Sequence, residues 1–295
     1  MSNMTFNKEN YKIIAIDLDE TMLHKSTLSL AVKNALTRLS NENIEIVIAT
    51  GRSLMSIPKF VRELPFIRYA VTSNGACVYD LKNNKVISEN TIDRKLALEI
   101  IKATEKRGAV SICYRDVYFV SVKSYIAFLF FSGKIRKELL GDKKMRELRK
   151  EYKKSTKLHL SLGKAVRNCT HNPEKIMYRF TSSEKRDKAC EALDHLPLEA
   201  VSITGLDLEV NAKGVSKALG LRVLCDLLGA QPSELIAAGD SSNDYEMLKF
   251  AGYSIVMENA EDKIKSVADV IAPHVANDGL ATILEELFKL KKTED

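Results

Sequence analysis

A chain of 295 residues is long for one domain and comfortable for two. Its apolar fraction of 45% is that of a globular protein with a sizeable core. The net charge of +6 is modest and spread out, apart from a basic stretch at residues 134–157, which reads first as a solvated helix face. That stretch lacks a recognised module or aromatic stacking pattern, so a nucleic-acid partner is not expected. Cys77, Cys113, Cys169, Cys190 and Cys225 are widely spaced and form no Cys-x-x-Cys pair, which argues against a zinc knuckle or a disulfide framework. The spacing fits reduced cytoplasmic thiols. Residues 1–10 are polar, and the greasiest patch, residues 126–131, is far too short to span a bilayer, so no membrane partner is expected.

In chain order, Ile13–Ile16 reads as a buried parallel strand. It ends in Asp17 and Asp19, with Thr21 close behind. Carboxylates at the carboxyl end of such a strand lie where open α/β sheets bind ligands. Two so close together repel, and a hard cation that takes oxygen ligands, such as Mg²⁺, would relieve them. A helix with apolar positions Val32, Ala35, Leu36 and Leu39 follows, with Thr27 or Ser29 as its cap. A second apolar strand at residues 44–50 ends in Thr50-Gly51-Arg52. The βαβ crossover delivers Thr50 and Gly51 to the same sheet edge as Asp17, where a hydroxyl and a glycine amide suit a phosphate oxygen. Residues 53–63 read as a helix ending before Pro65. A strand at residues 69–72 then ends in Ser73-Asn74-Gly75, a turn signal placed to face a ligand.

The pattern changes from about residue 76. Hairpin-like strands, a helix at residues 93–107 closed by Gly108, a mostly helical charged stretch at residues 128–157 and further strands up to residue 210 suggest an inserted α+β domain. The first pattern then returns. A helix at residues 215–228 precedes the strand 235–238, which runs into Gly239-Asp240-Ser241-Ser242-Asn243-Asp244, a second acidic strand end. Helix and strand alternate from there to residue 290, and a polar tail closes the chain.

Asp17-x-Asp19-x-Thr21, Thr50-Gly51, a lysine at a helix start and Gly239-Asp-x-x-Asn-Asp244, in this order, resemble the haloacid dehalogenase superfamily of phosphotransferases. The resemblance covers nearly the whole chain. Its insertion and its tail, Ala251-Gly-Tyr-Ser-Ile-Val-Met-Glu-Asn-Ala260 through Asn277-Asp-Gly-Leu280, are similar to the Cof-like group with a type IIB α+β cap. The resemblance implies a doubly wound, mostly parallel Rossmann-like core at residues 1–80 and 211–295, with an α/β order of elements and an α+β cap at residues 81–210. It implies Asp17 as nucleophile, forming an aspartyl-phosphate, and Asp19 as acid and then base. Mg²⁺ would be held by Asp17, the Asp19 carbonyl and Asp240. Thr50 and the amides of Leu18 and Gly51 would bind phosphate, and Lys217 would pair with the phosphate and with Asp17. Asn243 and Asp244 would support the metal and phosphate, and Asn74 would face the substrate.

Two departures stand out. Glu20 occupies a position where the family often has glycine, and Lys213 competes with Lys217, although Gly214-Val-Ser-Lys217 matches the motif. His24 follows the first motif, and His159, His171, His195 and His274 show no metal-ligand spacing. The expected activity is Mg²⁺-dependent hydrolysis of a small phosphorylated metabolite, a sugar phosphate or a phosphorylated cofactor, by a monomer or weak homodimer. A phosphomutase with the same nucleophile and a non-catalytic binding protein on the same fold are the rivals.

Overall fold

The structure is a computed structural model that describes residues 6–104, 107–115, 117–131, 155–202 and 205–290. The basic stretch therefore lies mostly outside the described residues, at 132–154, and so does the polar tail, at 291–295. The chain divides into two compact units. The first comprises residues 1–51, 61–88 and 216–295, and the second residues 52–60 and 89–215.

The first unit is built on an eight-stranded sheet. In chain order its strands are β1 (Ile13–Ile16), β2 (Glu45–Ala49), β3 (Ile67–Thr72), β4 (Cys77–Asp80), β5 (Lys85–Glu89), β12 (Leu235–Gly239), β13 (Tyr253–Met257) and β14 (Val270–Ala272), the intervening numbers belonging to the second unit. Their spatial order is β14-β13-β12-β1-β2-β3-β4-β5. The pairs from β14 to β3 are parallel, and β3–β4 is antiparallel. Sequence order reverses at β1, whose neighbours are β2 and β12, and this is where doubly wound sheets bind ligands. The segment at residues 81–88, assigned by sequence to the insertion, forms a turn and the edge strand β5 of this sheet.

β1 is buried along its whole length, as its unbroken apolar run requires. Each isoleucine in it is worth about 1.5–3 kcal/mol of burial. Helix α1 (Leu30–Asn41) starts at Ser29, whose hydroxyl accepts from the Val32 amide, and it buries Val32, Ala35, Leu36 and Leu39. It packs beside α10 (Gly279–Phe288), to which Arg38 is tied through Glu285. Helix α7 (Lys217–Leu228) is capped by Ser216, and Gly229 in the left-handed conformation closes it. Leu221, Leu224 and Cys225 of α7 pack on Ile13, Val47, Tyr69, Val71, Leu235 and Ala237.

The second unit carries a six-stranded sheet in the order β10-β11-β9-β6-β7-β8. Its strands are β6 (Ala109–Cys113), β7 (Tyr118–Ser121), β8 (Thr156–His159), β9 (Lys175–Arg179), β10 (Leu198–Val201) and β11 (Asp207–Ala212). The pairs β10–β11, β11–β9, β9–β6 and β6–β7 are antiparallel, and β7–β8 is parallel. Helices α3 (Arg94–Thr104), α5 (Leu162–Asn168) and α6 (Ser183–Leu193) build its main core, in which Ile100, Ile101, Val166, Ala189 and Leu193 meet Ile112, Phe119, Ile176, Tyr178 and Val210.

Two sequence expectations change. Residues 53–63 do not form one helix: a single 3₁₀ turn, Leu54–Ser56, and a short α2, Lys59–Arg62, flank Ile57 in extended backbone. Pro58 explains the break, because its ring disfavours helical backbone in the residue before it. Within residues 128–157, helix α4 begins earlier, at Val122, and runs to Phe131, while Thr156 and Lys157 open strand β8. No described helix is long and apolar enough to cross a membrane.

Candidate active site

The site forms where β1 and β12 deliver their carboxyl ends side by side, with Ile16 in register with Ala238. Asp17 follows β1 directly, and its amide donates to the Ala238 carbonyl at 2.9 Å. Asp240 follows β12. Lys217, the first residue of α7, is fully buried, and its ammonium donates to Asp17 Oδ1 at 2.6 Å and to Asp244 Oδ1 at 2.5 Å. Of the two lysine candidates, this geometry picks out Lys217.

Close approach of backbones places that lysine. Ser73, Asn74 and Gly75 all have positive φ, and a Cβ on Gly75 would lie 1.9 Å from the Ser216 carbonyl oxygen. The loop after β3 therefore seats against the first turn of α7 only because residue 75 has no side chain. Gly239 plays the same part on the other strand, where a Cβ would meet Asp244 Cγ at 2.6 Å.

Asp244 organises the second acidic loop. Its Oδ2 accepts from the amides of Asp240 at 3.0 Å and Ser241 at 2.9 Å, while Oδ1 faces Lys217. Its role in the fold is thus to hold the lysine and the loop together, a tighter part than sequence suggested. Asp240 is gripped at both oxygens: Thr21 donates to Oδ1 at 2.8 Å and Asn259 Nδ2 to Oδ2 at 3.3 Å. Asn259 also donates to the Glu20 carbonyl at 3.0 Å, so it links the loop after β13 to both acidic loops. Sequence reading gave Asn259 no role. The signal available was its place just after a buried strand on the same sheet edge, within Met257-Glu-Asn-Ala260.

Asn243 donates to the Asn74 side-chain oxygen at 3.0 Å, and the Asn74 amide donates to the Thr50 carbonyl at 3.1 Å. The loops carrying Thr50, Asn74 and Asn243 are thereby joined. Thr50 and Asn74 are buried, and Leu18 is buried beside Asp17. Gly51 follows Thr50 at the end of the first unit's segment. Asp19 is exposed, and it stands apart from the carboxylate cluster described next. Glu20 adopts a left-handed backbone, and its carboxylate turns to His24 Nδ1 at 3.0 Å and the Lys25 amide at 3.2 Å. The extra charge at this position is thus engaged within its own loop.

Among the described residues, Asp17, Asp240 and Asp244 bring carboxylate oxygens within 4.8 Å of one another. Burial, and then the neighbouring Asp244, push Asp240 up to about 7. Burial also raises Asp17, with Asp244 and Asp240 adding to it, against the pull of Lys217. Lys217 is held above its ordinary value by the two carboxylates it bridges, which outweigh its own burial. One ammonium for three carboxylates leaves a surplus of negative charge, and an all-oxygen donor set of this kind fits a hard divalent cation. Asp17 and Asp240 are the carboxylates of this cluster that could hold it, since both oxygens of Asp244 are already engaged.

The family of haloacid dehalogenase-like hydrolases matches residues 14–284. The phosphatase YwpJ of Bacillus subtilis (strain 168) is 27% identical, over 94% of this chain and 100% of its own length. The 5-amino-6-(5-phospho-D-ribitylamino)uracil phosphatase YitU of the same organism is 26% identical, over 94% of this chain and 98% of its own. The solved structure of the subclass IIB sugar phosphatase BT4131 superposes with a TM-score of 0.75 at 19% identity, covering 94% of this chain and 99% of that one, which shows a shared fold. The chain belongs to the haloacid dehalogenase-like hydrolase family.

Proposed function

We propose that this protein is a Mg²⁺-dependent phosphatase of small phosphate monoesters that works through an aspartyl-phosphate on Asp17. The observation that carries the reading is the buried Lys217 bridging Asp17 and Asp244, with Asp240 alongside. Asp17 attacks phosphorus, and the bond from phosphorus to the leaving oxygen breaks as the new bond forms. Asp19 gives the leaving oxygen its proton, then takes a proton from the water that cleaves the acyl phosphate and restores Asp17. Lys217 holds Asp17 in its attacking position and offsets charge on the phosphoryl group. Thr50, with the amides of Leu18 and Gly51, binds the phosphate oxygens, and Asn74 and Asn243 keep the loops in register. A bound Mg²⁺ would supply charge neutralisation between two anions that otherwise repel. The inserted unit corresponds to the cap that the family resemblance implies.

The substrate class is a sugar phosphate or a phosphorylated cofactor precursor. The similarity to YitU supports testing 5-amino-6-(5-phospho-D-ribitylamino)uracil first. The experiment is phosphate release from that compound and a panel of sugar phosphates, nucleotides, and flavin and pyridoxal phosphates, with Mg²⁺, with chelator, and with Asp17→Asn. Mg²⁺-dependent release that disappears in the variant is the expected result. Release that survives chelation or the variant would overturn the mechanism.

A further inference from the structure

Four neighbouring strands of the first unit's sheet, in the order β14-β13-β12-β1, are parallel and end on one edge. Asp17 and Asp240 directly follow β1 and β12. The loops after β13 and β14 carry none of the clustered carboxylates, yet one side chain ties both to the cluster. Asn259 lies two residues beyond β13. Its Oδ1 accepts from the Val275 amide at 3.3 Å, in the loop after β14. Its Nδ2 donates to the Glu20 carbonyl at 3.0 Å, in the loop after β1, and to Asp240 Oδ2 at 3.3 Å, after β12. The oxygen and both amide protons are thus spent on three other loops. These partners also fix which way the amide points, because an oxygen turned toward Glu20 and Asp240 would face two acceptors.

The two ends of this side chain differ in character. Its base is anchored. The Glu258 amide donates to the Ala272 carbonyl at 2.9 Å, the Glu258 carboxylate accepts from the His274 amide at 3.0 Å, and the Ala260 amide closes a turn on the Met257 carbonyl at 3.0 Å. Ala260 packs in the same core cluster as Val256 and Ile264. The far end reaches past the end of β12 to the loop after β1 and meets a carboxylate on the way. The last torsion of an aspartate is soft, so its oxygens keep one direction only when donors hold them. Among the described residues, Asp240 is held once at each oxygen, by Thr21 on Oδ1 at 2.8 Å and by Asn259 on Oδ2. Each oxygen therefore keeps a lone pair for a further partner.

We infer that Asn259 is a positioning residue for Asp240. It fixes the turn of a carboxylate that would hold the cation, and it ties that turn to the backbone of the loop after β1. This rests on the reading of Asp240 as a residue that would hold Mg²⁺. The test compares the wild type with Asn259→Ala and Asn259→Leu. Leucine is close to asparagine in shape, so it keeps the packing of this half-buried side chain while removing its donors. Three readouts are needed: the calorimetric Kd for Mg²⁺, kcat and KM for a phosphate monoester at limiting and at saturating Mg²⁺, and the denaturant midpoint in chelator.

Both variants are expected to raise the Mg²⁺ Kd about tenfold, the scale seen when a residue that orients a metal ligand is removed. Saturating Mg²⁺ should restore most of kcat, and KM for the phosphate monoester should then match the wild type. An unshifted Mg²⁺ Kd with a lowered midpoint would reduce Asn259 to a structural tie and overturn the proposal. A Kd restored in Asn259→Leu would overturn it too, because the effect would then belong to packing. If the wild type binds Mg²⁺ and both variants bind it equally well, the proposal for Asn259 alone fails. If the wild type binds no Mg²⁺, the reading of Asp240 fails with it.

Discussion

The two units bury polar side chains in opposite ways. In the first, Asp17, Thr21, Thr50, Ser73, Asn74, Lys217 and Asp244 are buried together at the carboxyl ends of β1, β2, β3 and β12 or at the start of α7. In the second, they are dispersed, and several are tied to backbone. Thr104 Oγ1 donates to the Ile100 carbonyl at 2.6 Å, Ser124 Oγ accepts from the Val110 amide at 2.9 Å, and Asn211 Nδ2 donates to the Glu174 carbonyl at 3.0 Å. Even the buried charges differ. Lys175 pairs with Glu209 at 2.7 Å, while Lys217 faces an excess of carboxylate. A polar group that completes a backbone serves the fold. A concentration of like charge, costly to bury, is retained for chemistry.

The sharpest way to break this comparison is Asp17→Asn. Phosphate release should fall by at least about a thousandfold, since the nucleophile is removed, while the thermal midpoint holds or rises. A variant with substantial turnover would detach the cluster from catalysis. Lys217→Ala comes next. It leaves buried carboxylates without their cation and should cost about 3–5 kcal/mol of stability, read by denaturant unfolding in chelator. A cost below about 1 kcal/mol would show that the carboxylates rearrange or protonate freely.

The charge surplus also predicts a pH dependence. Because folding raises Asp240 to about 7, the folded protein keeps a proton that the unfolded chain loses near its ordinary value of about 4. Stability should therefore fall as pH rises from about 4 to about 7, relative to Asp240→Asn. In chelator the wild-type midpoint should drop between pH 5 and pH 8 against that variant, and Mg²⁺ should restore it at pH 8. A midpoint that rises over this range relative to the variant would contradict the cause assigned here.

A pair of glycine substitutions gives the finest contrast. Gly75→Ala drives a Cβ into the Ser216 carbonyl and should cost about 2 kcal/mol or more. Gly163→Ala, in helix α5 with its nearest neighbours 3.9 Å away, should stabilise by about 0.4–1 kcal/mol. Equal effects in thermal unfolding would mean that the loop against α7 is not under the constraint described.

Much of the first unit could be read from sequence because its motifs directly follow unbroken apolar runs. Ile13–Ile16 and Leu235–Gly239 announce buried strands, and what comes next is then placed at one sheet edge. Asn259 escaped that reading because a single amide carries no pattern, and only the fold shows that it reaches Asp240 and the Glu20 carbonyl. In the second unit, β8 was missed since Thr156-Lys-Leu-His159 is a half-exposed edge strand with neither an apolar run nor clean alternation. The short α2 was overextended where Pro58 decides the backbone and the surrounding periodicity does not. The hydrogen bonds of the Tyr118 hydroxyl with Ser53 and Ser56 could not be anticipated at all, because Tyr118 is far from both in sequence.

The pairing of β1 with β12 has a consequence for synthesis. Ile13 lies beside Leu235, so the central strand emerges from the ribosome long before its partner exists. Until residues beyond 216 appear, β1 presents an open apolar edge, the kind of template on which chains stick to one another. The second unit's main segment, residues 89–215, is continuous and can fold during that wait. The stretch from residue 216 onward then does two things at once: it covers the exposed edge and brings Lys217, Asp240 and Asp244 to Asp17. A nascent chain stalled before it would be both inactive and prone to aggregate.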